Sequence, residues 1–211
     1  MMKLLSATPS PYARKVRIAL AEKGIPFELV TEVPWDSTTQ TPRYNPLEKL
    51  PVLIMDDGTS VYESRFILEY LEAKFPTPPL LPDSIDDRLA ARQVEVLADG
   101  VCDAFVLLFW ERHRPAAQQS QEWMARQQRK IDGGLAALAR VAGDREFVIG
   151  DRFGLADIVT GTVVAYLAVR DPRQPWRERH PNLGRLSDRL EQRESFRTTR
   201  PVPQVISDKV V

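Results

Sequence analysis

The stretch Ser10-Pro11-Tyr12-Ala13-Arg14-Lys15-Val16-Arg17 opens with a hydroxyl, a proline and an aromatic, then sets three basic residues within two turns. Ser10 is an N-cap type and Pro11 suits the first helical position. Arg14, Lys15 and Arg17 then stand near the positive end of a helix dipole, where acidic side chains are the usual choice. Local propensity does not select this arrangement. A site that receives an anion tolerates it, because free N–H groups and the dipole at a helix start attract negative charge.

The remaining inventory narrows the chemistry. Cys102 is the only cysteine of the 211 residues, so no internal disulfide can form and no cysteine-rich metal site is available. His113 and His180 lie far apart and show no ligand spacing, so no metal is expected. A formal net charge of zero gives no basicity that would point to nucleic acid as the main partner. No apolar run reaches the ~18 residues of a membrane span, and the start lacks a signal peptide's apolar stretch. The expectation is a soluble cytoplasmic protein, with no membrane partner and with a core sufficient for one large domain or two small ones.

The elements that must carry Ser10 alternate in the first part of the chain. Lys3–Ala7 is an apolar run of strand length, and Pro11–Lys23 is helical, with Val16, Ala19 and Leu20 on one face and Gly24 as its stop. Phe27–Thr31 is a second strand, and strand–helix–strand order predicts a parallel pair with a crossover helix. Residues 34–46 are polar and broken by prolines. Val52–Met55 is a third strand, Asp56-Asp57-Gly58 a hairpin turn, and a fourth strand ends near Tyr62. Glu63–Phe75 is helical, with Phe66, Ile67, Tyr70 and Leu71 at helical spacing.

After the proline-rich stretch 76–84, everything reads as helix. Ser84 and Asp87 form a capping pair for a helix running to about His113. Further helices are expected over roughly Gln118–Val141, with Met124, Ile131, Leu135 and Leu138 inward, over Leu155–Val169 and over Leu183–Gln192. Pro201–Val211 reads as an irregular tail.

This layout resembles the cytosolic glutathione transferase superfamily, over about residues 2 to 200. Four motifs carry the resemblance. SPYARKVRIAL at 10–20 is similar to the segment after the first strand in the serine- and cysteine-type classes (zeta, theta, omega and bacterial relatives). NPLEKLPVL at 45–53 resembles the segment before the third strand, YESRFILEYLE at 62–72 the glutamyl-binding turn and helix, and GDRFGLADI at 150–158 the helix-capping motif of the second domain. The resemblance implies an α/β thioredoxin-like N-terminal domain over residues 1–78, a linker over 79–85 and an all-α helical C-terminal domain over 86–211.

It also implies roles. Glutathione's thiol is mostly protonated at neutral pH, with a pKa of about 8.5, and the thiolate is the nucleophile. Ser10 falls where the relatives carry their catalytic serine or cysteine, and would donate a hydrogen bond to that thiolate; it equally serves as a plain helix cap. Thr8 and Tyr12 are the rival hydroxyls. The Leu50–Pro51 bond would be cis, as in the family, freeing the Leu50 main chain to pair with the cysteinyl unit; the plain alternative is a proline at a strand's first residue. Lys49 would face the glycyl carboxylate or be a solvated surface lysine. Ser64 would hold the γ-glutamyl carboxylate, Glu63 the γ-glutamyl ammonium, and Arg65 would add charge; the alternative for Ser64 is an ordinary N-cap.

Where the relatives often have glycine, this chain has Glu48, so the loop before Lys49 is expected to differ. Trp35, Arg43 and Tyr44 are the candidates for the glycyl end of glutathione. Phe105, Phe109, Trp110, Arg112 and His113 either line an electrophile pocket or belong to the core. Cys102 reads as a buried small hydrophobe. Asp157 is expected to nucleate its helix, with Gly154 supplying no side-chain acceptor as N-cap. Arg14 and Arg17 accompany the anion site, face solvent, or pair with acids of the other domain or of a dimer partner. The expected function is a glutathione transferase-like enzyme, with glutathione as co-substrate, a small apolar electrophile as partner, and a homodimeric state. The alternative is a non-catalytic binding or regulatory protein on the same fold.

Overall fold

A computed structural model describes residues 1–206. The described residues form two compact units, one of residues 1–80 together with 192–206, the other Leu81–Glu191. Among the described residues, 192–206 do not follow the expected layout, because they group with the first unit.

The first unit is built on a four-stranded sheet of order β2-β1-β3-β4, from β1 (Lys3–Ser6), β2 (Glu28–Thr31), β3 (Val52–Ile54) and β4 (Ser60–Tyr62). β1 and β2 are parallel, with Leu5 opposite Val30. Between them runs α1 (Pro11–Glu22), long enough to return the chain to the starting edge. β3 runs antiparallel to β1, and β4 antiparallel to β3. α2 (Ser64–Lys74) packs against α1 and β4. Leu4, Leu53, Val16, Ile18, Leu20, Ile67 and Leu71 are shut off from solvent and form the core. Phe66, expected on the apolar face of α2, is instead 57% exposed.

α1 stops where Gly24 takes φ 64°, a left-handed conformation open to glycine without a Cβ clash. Lys23, the preceding C-cap, is buried: its Nζ donates to the carbonyls of Phe75 (2.7 Å) and Pro78 (2.9 Å) and meets Glu72 Oε1 at 2.6 Å. One ammonium thus gathers the end of α1, the end of α2 and the start of the proline-rich stretch.

The second unit is helical. α3 (Ile85–His113) starts at Ser84, whose Oγ accepts from the Asp87 N–H, as expected. α4 (Gln121–Ala142) begins three residues later than expected, because Ser120 caps it and Ala116–Gln118 form a separate 3-10 turn. Ile131, Leu135 and Leu138 are buried and Met124 is half-buried. α5 (Leu155–Arg170) is almost entirely enclosed. Asp157 fixes its start: Oδ2 accepts from the Gly154 N–H at 3.0 Å and Oδ1 from the Val148 N–H at 2.9 Å. α6 (Trp176–Arg179) was not foreseen, and α7 (Pro181–Leu190) starts two residues early, with proline at its first position. α8 (Glu194–Arg197), also unforeseen, belongs to the first unit. Helices of four residues are too short to show a 3.6-residue period. Residues 201–206 carry no regular structure, and the rest of the expected tail lies outside the described residues.

Candidate functional site

Sheet register decides which loops meet. Leu5 on β1 is opposite Val52 on β3, and Val52 is opposite Tyr62 on β4. The end of β1, the start of β3 and the end of β4 therefore share one rim. Ser10 follows β1, Leu50 and Pro51 precede β3, and Glu63 and Ser64 follow β4. With strands about 4.8 Å apart, the three segments leave the sheet within roughly 10 Å of one another. The chain after β2 leaves at the same rim, since Ser6 pairs with Thr31.

Two helices start on this rim. At the first, Ser10 is the N-cap of α1, and its Oγ accepts from the Ala13 N–H at 3.2 Å. A hydroxyl that accepts one bond keeps its own proton to donate. At the second, Glu63 is the N-cap of α2 and takes φ 71°, ψ 117°. Its Oε2 accepts from the Arg65 N–H at 3.2 Å and its Oε1 from the Ser64 hydroxyl at 3.4 Å. Ser64 is buried and Arg65 exposed. Both helix starts bring the positive ends of their dipoles to the rim. A rim with two such ends suits a ligand carrying more than one negative charge.

Between them lies the loop ending in Pro51. The Leu50–Pro51 bond is cis. Glu48 takes φ 54°, the left-handed region that favours glycine. Lys49 is exposed, and Leu50 is half-buried. The residue that sequence reasoning missed is Asn45. It is buried, its Nδ2 donates to the Lys49 carbonyl at 2.8 Å, and its Oδ1 accepts from the Leu47 N–H at 2.9 Å. Asn45 therefore shapes the Lys49-Leu50-Pro51 loop from within. The available signal was the Asn-Pro pair, a turn former.

The basic residues of α1 behave differently from the sequence expectation. Arg14 and Lys15 are buried, at 2% and 1% exposure, rather than facing solvent. Arg14 Nη2 donates to the Phe196 carbonyl at 3.1 Å and Nε to Thr199 Oγ1 at 3.4 Å. Arg17 Nη2 donates to the Thr198 carbonyl at 3.3 Å, and burial together with the Arg14 charge pushes its guanidinium pKa down. Arg14 and Arg17 thus reach backbone and hydroxyl groups of the C-terminal segment.

The aromatic candidates on α3 have local partners. Phe105 is buried, edge-on to Tyr166 at 5.5 Å. Phe109 packs against Trp110 and His113 and lies under the Arg170 guanidinium at 4.6 Å. Arg112 pairs with Asp171 at 3.1 Å. Cys102 is a buried free thiol. Among the described residues, no group of three or more His, Cys, Asp or Glu could hold a metal ion, and no helix is long and apolar enough to cross a membrane.

Residues 4–79 match the family Glutathione S-transferase, N-terminal domain, and residues 121–189 match Glutathione S-transferase, C-terminal domain. The uncharacterized GST-like protein YibF of Escherichia coli K12 is 38% identical, over 95% of this chain and 98% of that protein. A solved glutathione S-transferase of Methylobacterium radiotolerans, in complex with glutathione sulfonate, is 65% identical with a TM-score of 0.98, over 100% of this chain and 99% of that one. Another, from Methylobacillus flagellatus with GSH bound, is 40% identical with a TM-score of 0.92, over 96% of this chain and 100% of that one.

Proposed function

The chain belongs to the glutathione S-transferase family, and from that premise we propose that it binds glutathione in its first unit, stabilises it as the thiolate and delivers the sulfur to a small apolar electrophile. One observation supports this reading above the others: the Ser10, Leu50-Pro51 and Glu63-Ser64 segments converge on one rim with two helix starts. Both neighbours of high similarity that were solved with a ligand hold glutathione or its sulfonate.

On this reading each residue has a task. The Ser64 hydroxyl and the start of α2 hold the γ-glutamyl carboxylate, Glu63 meets the γ-glutamyl ammonium, and Arg65 adds positive charge. The Leu50 main chain before Pro51 pairs with the cysteinyl unit, and Lys49 faces the glycyl carboxylate. Ser10 donates a hydrogen bond to the thiolate sulfur and keeps its proton. A hydrogen bond to a charged group is worth about 1.5–3 kcal/mol, enough to lower the thiol pKa by about one to two units. The thiol proton passes to solvent, and the thiolate's electron pair then bonds to the electrophilic atom as a bond of the electrophile breaks, its pair leaving with a displaced group or shifting onto the neighbouring atoms. Conjugation, dehalogenation, isomerisation and peroxide reduction all share this opening step, and the fold does not select among them. We further propose that the protein acts in the cytoplasm as a homodimer.

The deciding experiment titrates the thiolate absorbance of bound glutathione in wild type and Ser10→Ala. The wild type is expected to lower the thiol pKa, and Ser10→Ala to return it by about one to two units with roughly a 10- to 100-fold loss of turnover. Glutathione bound with an unshifted thiol would favour a non-catalytic binding or regulatory protein. No binding at all would refute the proposal.

A further inference from the structure

Residues 192–204 lie along α1 as a strap. At the far end of α1, the Arg193 guanidinium grips Glu22 through Nε at 3.1 Å and Nη2 at 2.8 Å, and the Ser195 hydroxyl donates to the same carboxylate. At the near end, Arg14 Nη2 and Nε reach Phe196 and Thr199, and the guanidinium lies 5.2 Å over the Phe196 ring, which is fully enclosed. Thr199 Oγ1 in turn donates to the Ser195 carbonyl at 2.7 Å. Beyond α1, the Thr8 hydroxyl donates to the Val202 carbonyl at 3.2 Å, and Gln204 Nε2 donates to the Glu32 carbonyl at 3.0 Å. Thr8 lies in the β1–α1 loop, two residues before Ser10, and Glu32 follows β2 at the same rim. The strap therefore touches both loops that flank the start of α1.

Burying a cation near the positive end of a helix is unfavourable on two counts, desolvation and dipole. An apolar side chain would fill the same space without either cost. The guanidinium adds direction: a planar fork held by a carbonyl, a hydroxyl and an aromatic face has its position set on three sides. The same residue's backbone N–H donates to the Ser10 carbonyl at 3.0 Å. Arg14 thus joins the strap and the N-cap of α1 through one residue.

We propose that Arg14 is a positioning residue of the site: through it the C-terminal strap fixes the first turn of α1, and with it the place of the Ser10 hydroxyl on the rim. The inference rests on the reading that Ser10 holds the glutathione thiolate. Arg14→Lys keeps a charge but loses the fork, and Thr199→Val removes only the hydroxyl beneath it.

The test compares wild type, Ser10→Ala, Arg14→Lys and Thr199→Val for thermal melting, glutathione affinity, thiol pKa of bound glutathione, and kcat and KM with an activated aryl halide as probe. For both strap variants the expected result is a raised thiol pKa and a fall in kcat of at least about threefold, with the glutathione KM within about twofold of wild type. A scaffold role alone would lower the melting temperature and leave the thiol pKa and kcat of the folded protein where they were; that result in Thr199→Val and in folded Arg14→Lys overturns the inference. Should Arg14→Lys fail to fold, Thr199→Val decides alone by the same criterion. If wild type and Ser10→Ala give the same thiol pKa, the reading of Ser10 itself fails, and the role of Arg14 falls with it. A normal Ser10 effect beside silent strap variants sinks only the role of Arg14.

Discussion

Single residues carry the cost of this site. Glu63 sits at φ 71°, ψ 117°, a backbone state worth about 1–3 kcal/mol of strain for a residue with a side chain. Two hydrogen bonds to its carboxylate hold it there and aim the start of α2 at the rim. A different kind of tension appears at Tyr166. Burial pushes its phenol up to about 12, with the Arg170 guanidinium pulling the other way. The folded state disfavours the phenolate, whereas an unfolded tyrosine ionises near 10. The associated stability is therefore complete below pH ~10 and is lost as pH climbs toward about 12. Denaturant unfolding across that window should show a steeper decline for wild type than for Tyr166→Phe, and parallel curves would mean that the phenol is not protected.

Among the elements, starts are governed locally and contacts are not. Ser84 and Ser120 cap α3 and α4 by accepting from the N3 N–H groups; the first start reads out of the sequence, and the second lies three residues beyond the expected one. The approach of α3 to α4 depends instead on a position no local rule marks. A Cβ on Gly134 would lie 2.2 Å from Val101 Cγ2, whereas a Cβ on neighbouring Gly133 would meet nothing within 4 Å. Overpacking costs about 1–3 kcal/mol, and alanine gains about 1 kcal/mol over glycine in a helix. Gly133→Ala should thus raise the melting temperature and Gly134→Ala lower it. Equal shifts in the same direction would show that Val101 yields freely.

For the molecule as a whole, the surface offers the argument for a second copy. α2 leaves Phe66 57% exposed, and α3 leaves Ile85, Leu89 and Val96 at 64%, 61% and 47%. Positions 85, 89 and 96 fall on one stripe of a helix. Exposed apolar stripes of this kind mark interaction surfaces. Sedimentation is expected to give twice the 24.0 kDa chain mass for wild type and a single chain for Phe66→Glu combined with Leu89→Glu. A wild type that sediments as one chain would end the homodimer proposal.

The sequence by itself determined the things that depend on neighbours in the chain: the strand–helix–strand order, the caps Ser10, Ser84 and Asp157, the turn at Gly58, and, by resemblance, the family and the cis bond before Pro51. These follow from periodicity, capping and turn chemistry, which act over a few residues. Tertiary structure alone decided the rest. Phe66 sits at an apolar spacing yet faces outward, because helical period fixes which residues share a face but not what covers it. Asn45 and Glu48 shape the loop before Pro51 through a buried amide and a left-handed backbone, neither of which leaves a period. The basic residues of α1 read as partners of an anion, but two of them reach a segment more than 180 residues away in the chain. Such long-range pairings form only once the sheet and α1 have created the surface on which the C-terminal strap lies.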